Sequence, residues 1–168
     1  MKILVLGLGN PLLSDDGIGF LAAKILREKL LNEADVAESS LSGVALLDLF
    51  IGYDRAVIID AIQTNRNSPG TILELIPSDF DAVVSPSPHY AGLPEILALA
   101  DRLGLHFPTE IRILAVEVED PYTIGGDLSE PVKKALPELI RRAQSFVKQW
   151  CDEMTQRGQL NVEERSCV

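Results

Sequence analysis

The sequence contains little cysteine, few aromatic residues and no excess of positive charge. Its two cysteines, Cys151 and Cys167, both lie in the polar C-terminal region, which is neither a disulfide framework nor a thiolate metal site. The aromatic content of 5% is too low for a platform that stacks on single-stranded nucleic acid. The net charge of -10, from 15 Lys and Arg against 25 Asp and Glu, repels phosphate groups. We therefore expect no nucleic-acid partner and a reducing, cytoplasmic location.

Long apolar runs are also missing, so no segment has the length that a membrane span requires. The N-terminal stretch has one Lys and an apolar run like those of a signal peptide. Asn10, Pro11, Asp15 and Asp16 interrupt that run before any small-residue cleavage site. We expect a monomer without membrane partners, with a single domain over residues 1–150 and a polar, frayed tail over residues 151–168.

Apolar runs alternate with amphipathic segments along the chain. The runs predict five strands, at residues 2–8, 35–39, 55–62, 70–76 and 110–118. Helical spacing of apolar residues predicts a helix after Asp16, with Ser14 or Asp15 as its N-cap, and others over residues 44–50, up to Arg102 and from Ser129. This alternation indicates an α/β fold, with a mostly parallel, mixed central sheet of about five strands between helix layers.

Three polar residues are predicted to converge at one edge of this sheet. Asp16 follows the first strand, Asp60 follows the apolar run VII, and His89 lies in the loop after a later strand. If these strands are parallel, their carboxyl ends meet at one edge, where such sheets bind ligands. Two carboxylates and an imidazole suit a divalent ion such as nickel or zinc.

Each of these residues also has a simpler interpretation. Asp16 can complement a helix dipole, Asp60 can cap a turn, and His89 can hydrogen-bond a backbone carbonyl. Their shared location favours a metal site. The motif GLGNPL is a weak match to a dinucleotide-binding loop, because Leu12 occupies the third glycine position; Gly7 and Gly9 are expected to permit a tight turn instead.

Three separated segments, ILVLGLGNPLLSDDGIG, VIIDAI and SPHYAGLPEILALA, closely resemble the signature segments of the hydrogenase maturation endopeptidases. The similarity extends through GGDLSEPVKKALPELI, over about residues 2–147. These proteases trim the C-terminal extension from the large subunit of nickel-iron hydrogenases. The resemblance implies a three-layer α/β/α fold and carries the catalytic, metal-contacting positions to Asp16, Asp60 and His89.

The resemblance also implies that nickel arrives with the substrate, a large-subunit precursor, rather than being held by the isolated enzyme. Two mechanisms are consistent with the sequence: nickel activates a water molecule, or nickel anchors the substrate while a carboxylate acts as general base. The alternative functions are a nucleoside- or nucleotide-binding α/β enzyme and a non-catalytic chaperone of the nickel centre. The segment SSLSG, residues 39–43, lacks the acid of the usual family turn, and we expect it to influence which hydrogenase isoform is processed.

Overall fold

The computed structural model describes residues 1–81 and 93–166, with side chains for all of these except 80, 81, 94 and 157–166. Within these ranges the regular elements are, in order, β1 (Ile3–Leu8), α1 (Ile18–Lys29), β2 (Asp35–Ser39), α2 (Leu47–Phe50), β3 (Arg55–Ile62), β4 (Ile72–Leu75), α3 (Leu93–Arg102), β5 (Glu110–Glu117) and α4 (Glu130–Ser166). Short 3-10 turns occupy Asp15–Gly17, Gly43–Leu46 and Pro77–Asp81. Every predicted strand is present, with bounds within two residues of those predicted.

The five strands form one mixed sheet in the order β2-β1-β3-β5-β4. Strand β1 is parallel to both of its neighbours, β2 and β3, and β3 is parallel to β5. Strand β4 is antiparallel to β5, so it runs against the direction of the other four strands. The predicted mostly parallel α/β sheet is confirmed, and β4 is the strand that makes it mixed.

Apolar side chains cover both faces of the sheet, as strands buried on two sides require. On one face the core joins the sheet to α1 and α4, through residues that include Ile18, Leu26, Leu139 and Trp150. On the other face it joins the sheet to α2 and α3, through residues that include Leu46, Phe50, Leu93 and Ile96. These two layers of helices on one sheet form the three-layer α/β/α arrangement.

Helix α4 continues through Pro137 and past residue 150, the predicted end of the domain. Trp150 is buried, and the Arg55 guanidinium lies 5.4 Å from the centre of its ring. Arg55 also donates to Glu153, at 2.7 Å. The first residues of the predicted tail are therefore tied to β3, whereas fraying of the remainder stays a prediction. Among the described residues, no helix combines the length and apolarity needed to cross a membrane.

Gly19 lies where α1 comes closest to the sheet. A Cβ at this position would overlap the backbone carbonyl oxygens of Leu8 and Ile59, which belong to two neighbouring strands. Gly7 lies in β1 and faces the same helix, so it serves this close approach and not the tight turn proposed for it. The turn requires Gly9 alone, whose φ of 135° is unfavourable for other residues.

Gly19→Ala is expected to lower the free energy of unfolding by about 2 kcal/mol or more, because backbone must move to admit the methyl group. Gly17→Ala is the matched control, since a Cβ there meets only ordinary contacts, at 3.7 Å from the Pro11 Cα and 3.8 Å from the Asn10 carbonyl oxygen. Denaturant unfolding of both variants measures the difference. Equal stabilities would show that α1 is free to shift away from the sheet.

Candidate active site

The sheet has a topological switch point between β1 and β3. From β1 the chain passes through α1 to β2 on one side, whereas from β3 it proceeds to β4 and β5 on the other side. The connections therefore diverge and leave a crevice at the carboxyl ends of β1 and β3. Open α/β sheets bind their ligands in this crevice.

Asp16 lies at this crevice, in the 3-10 turn that follows β1. Its side chain is largely buried, and Oδ2 accepts a hydrogen bond from the Asn10 backbone N–H at 2.7 Å. Gly9 permits this arrangement, because its backbone passes against the carbonyl of Asp16 with no room for a Cβ. The loop thus places a carboxylate at the start of α1, as the sequence predicted.

Asp60 lies inside β3, directly after the run VII and two residues before the end of the strand. Ile59 pairs with Gly7, so Asp60 is level with Leu8, the last residue of β1. Its side chain is fully buried, and Oδ1 accepts a hydrogen bond from the Ala61 N–H at 2.8 Å. The turn that carries Asp16 contacts β3, so both carboxylates lie at the same crevice.

His89 falls outside the described residues, so its predicted place beside the two carboxylates stays a prediction. The strand before His89 does not run in the direction that this prediction requires. Strand β4, which precedes it, is antiparallel, and its carboxyl end therefore lies toward the opposite edge of the sheet from Asp16. Among the described residues, no group of three or more His, Cys, Asp or Glu side chains is arranged to hold a metal ion.

Asp15 has a role that the sequence did not indicate. Ser14 or Asp15 was predicted as the N-cap. Ser14 occupies that position of the 3-10 turn, but neither the turn nor α1 has a side-chain cap bond, so the predicted capping interaction is absent. The fully buried carboxylate of Asp15 accepts four hydrogen bonds instead. Their donors are the backbone N–H groups of Glu119, Asp120 and Ser129, at 3.2, 3.0 and 2.6 Å, and the Ser129 hydroxyl, at 3.0 Å.

The loop after β1 and the loop after β5 are also joined by backbone hydrogen bonds. The Ser14 N–H donates to the Thr123 carbonyl and the Gly125 N–H to the Leu12 carbonyl, each at 2.9 Å, on either side of an antiparallel bridge between Leu13 and Ile124. We call these two segments, residues 12–14 and 123–125, the loop ribbon. It lies at the carboxyl edge of the sheet, beside Asp16.

Asp120 shapes the turn that leads into the loop ribbon. Its Oδ1 accepts hydrogen bonds from the N–H groups of Tyr122 and Thr123, at 3.1 and 3.0 Å. A hydrogen bond from the Thr123 side chain, followed by these two backbone bonds, holds the pKa of Asp120 below its usual value. The carboxylate therefore stays ionised and keeps the turn in place.

Glu117 is a second buried carboxylate that sequence reasoning missed. It ends β5 and faces the same side of the sheet as Asp60, since Asp60 pairs with Ala115 and Ile62 with Glu117. Its oxygens accept hydrogen bonds from the N–H groups of Thr64 and Asn65, at 2.7 and 2.8 Å, and from the Thr64 hydroxyl at 2.5 Å. These contacts give it a structural role, to hold the chain after β3.

Comparison with known proteins shows the family of this chain. The model of the hydrogenase maturation protease family matches residues 22–145. The chain belongs to the hydrogenase maturation protease family. A maturation protease of hydrogenase 2 from Escherichia coli is 32% identical over 120 residues, which cover 69% of this chain and 73% of that relative. The hydrogenase expression/formation protein HupD of Rhizobium leguminosarum is 29% identical over 162 residues, covering 93% and 79% of the two chains.

Solved structures of hydrogenase maturation proteases have the same architecture. The endopeptidase HybD from Escherichia coli superposes with a TM-score of 0.76 at 28% identity, over 89% of this chain and 93% of that one. HybD from Thermococcus kodakarensis gives a TM-score of 0.70 at 28% identity, over 88% and 99%. The crevice of this protease is therefore a candidate active site, with Asp16 and Asp60 as its described acidic residues.

Proposed function

We propose that this chain is an endopeptidase that removes the C-terminal extension from a nickel-loaded large-subunit precursor of a hydrogenase. Membership of the hydrogenase maturation protease family supports the reaction class. We assign the reaction to the crevice because two buried carboxylates, Asp16 and Asp60, lie there at the switch point between β1 and β3. We further propose that the enzyme acts as a cytoplasmic monomer.

We propose His89 as the third member of the site, on the basis of the family resemblance. Leu93, four residues after His89, packs in the core on the face of the sheet that α2 and α3 cover. Alternation along β3 puts Asp60 on this same face, because Ile58 and Ile62 belong to that core. The chain thus returns from the segment containing His89 to the layer in which Asp60 is buried.

The donor set fits a nickel ion presented by the substrate. Burying two negative charges in one crevice is costly, and a cation at the crevice offsets part of that cost. Carboxylate and imidazole alone make a modest nickel site, whereas cysteines on the precursor would be its stronger ligands. Nickel in the precursor supplies a positive charge that fixes the scissile segment against Asp16 and Asp60.

The carboxylates then have two chemical tasks in hydrolysis of the peptide bond. One holds the cation, and the other accepts a proton from the water that attacks the scissile carbonyl carbon. The same proton passes to the departing amine as the C–N bond breaks, so the carboxylate is regenerated. Family membership favours this reaction over the nucleotide-binding alternative, and it differs from a chaperone role because the product is shorter than the precursor.

Cleavage is expected to require nickel in the precursor, whereas the isolated protease should be folded and largely free of metal. The apolar cores on both faces of the sheet stabilise the fold, and we propose that they do so without an ion. Elemental analysis of the purified protein, with mass spectrometry of nickel-loaded and nickel-free precursor after incubation, measures both points. Stoichiometric metal in the protease together with equal cleavage of both precursors would contradict substrate-borne nickel. An uncut nickel-loaded precursor would favour the chaperone.

A further inference from the structure

The loop ribbon and the turn before it expose three large apolar side chains beside the candidate active site. Leu12 is 69% exposed, Tyr122 is 73% exposed and Ile124 is 81% exposed. We call these three residues the apolar rim. The backbones that carry Leu12 and Ile124 are neighbours across the loop ribbon, because Ile124 bridges Leu13 and the Gly125 N–H donates to the Leu12 carbonyl. Exposed apolar side chains gathered at one place on a surface mark an interaction site more often than single ones do.

Leu12 of the apolar rim lies near the candidate active site along the chain. Leu12 precedes Asp16 by four residues, which places their Cα atoms no more than about 14 Å apart. An extended peptide covers that distance in about four residues. A substrate whose scissile bond lies at Asp16 therefore reaches the apolar rim with residues a few positions away from that bond.

The rim is also held in a fixed position. The backbone bonds of the loop ribbon, the four bonds to Asp15 and the turn closed by Asp120 all constrain the segments that carry it. A surface ordered before binding loses little conformational entropy when a partner docks. These contacts explain how three exposed apolar residues can contribute to affinity.

Acidic residues precede and follow the rim residues Tyr122 and Ile124 along the chain. Glu119, Asp127 and Glu130 are exposed, and Asp120 is partly exposed. Lys133 is the cation that approaches them, with Nζ 3.9 Å from Asp127 and 3.6 Å from Glu130. The surplus of negative charge favours a partner segment that carries basic residues beside an apolar stretch.

We propose that the apolar rim is the docking surface for an apolar segment, flanked by basic residues, of the hydrogenase precursor near its cleavage site. This inference rests on the proposed function and adds to it the part of the enzyme that selects the substrate. The rim binds substrate before and during the reaction alike. Its loss should therefore raise KM and leave kcat unchanged.

The test compares Leu12→Ser/Ile124→Ser with Leu31→Ser. Leu31 is 68% exposed, almost as much as Leu12, but it follows α1 at the opposite edge of the sheet. Cleavage of nickel-loaded precursor is followed at varied substrate concentrations, and binding of the same precursor is titrated with each change placed in an Asp16→Asn background. The rim variant is expected to raise both KM and Kd by about tenfold or more, with Leu31→Ser unchanged.

Three outcomes distinguish failure of the docking proposal from failure of the proposed proteolytic function. If the rim variant keeps wild-type KM and Kd while the enzyme cleaves normally, the docking surface is wrong and the proteolytic function stands. If binding depends on Leu12 and Ile124 but wild type leaves the precursor uncut, the docking surface stands and the proteolytic function fails. If the Asp16→Asn protein and wild type both fail to bind precursor, both are overturned.

Discussion

Asp16→Asn and Asp60→Asn should each lower the rate of precursor cleavage by at least about a hundredfold. Loss of a residue that only supports a metal ligand lowers activity by about 10- to 100-fold, and loss of a direct contact should cost at least as much. The amide retains the size of the carboxylate and one acceptor oxygen, which can still receive the Asn10 N–H at residue 16 or the Ala61 N–H at residue 60. It removes the negative charge that a cation requires. Mass spectrometry of the precursor over time measures the rate.

Circular dichroism and denaturant unfolding of the same variants provide the control for the fold. Both variants should unfold cooperatively, because their backbone hydrogen bonds are retained. Asp101→Asn, at an exposed position in α3, is the matched substitution of an acid away from the crevice and should cleave at the wild-type rate. Normal processing by either crevice variant would remove that residue from the proposed site.

Asp15→Ala should differ from the two crevice variants, because its main effect should be a large decrease in the free energy of unfolding. The change leaves three buried or partly buried backbone N–H groups, those of Glu119, Asp120 and Ser129, without the carboxylate that accepts their hydrogen bonds. A buried donor left without an acceptor costs about 1–3 kcal/mol, so the three N–H groups together are expected to cost about 3 kcal/mol or more. That is a large part of the 5–15 kcal/mol, roughly, by which domains of this size are stable.

Denaturant unfolding of Asp15→Ala and of Asp101→Ala, the exposed control, measures this cost. A loss of less than about 1 kcal/mol would show that water replaces the carboxylate as hydrogen-bond acceptor. These two adjacent acids are thus expected to have different roles. Asp16 takes part in the chemistry, and Asp15 holds together the loops around it.

The strands and the acids of the crevice could be predicted from local sequence. Runs such as RAVIIDAI reveal strands buried on both faces, and an acid within such a run is conspicuous because its burial is costly. Asp60 was identified by that signal, and it lies inside β3, two residues before the end of the strand. Local sequence does not show the direction in which a strand pairs, so the antiparallel β4 and its consequence for His89 were missed.

The roles of Asp15 and Glu117 could not be predicted because their partners are remote in sequence or lie in loops without a pattern. The donors to Asp15 are 104 to 114 residues away along the chain. An acid at the start of a helix has a sufficient local explanation as a cap, and nothing in the segment SDDG distinguishes capping from a tertiary contact. The apolar rim was missed for the same reason, since it forms only when two distant loops pair.

The distance along the chain between Asp15 and its donors should delay the appearance of activity during synthesis. Residue 15 leaves the ribosome long before Ser129, whose N–H and hydroxyl complete the set of donors to its carboxylate. Contacts so far apart form late in folding, because the intervening chain must be ordered first. We expect a nascent chain that ends before Ser129 to contain Asp16 and Asp60 and yet to lack an ordered apolar rim. Cleavage activity would then arise only when the start of α4 has emerged.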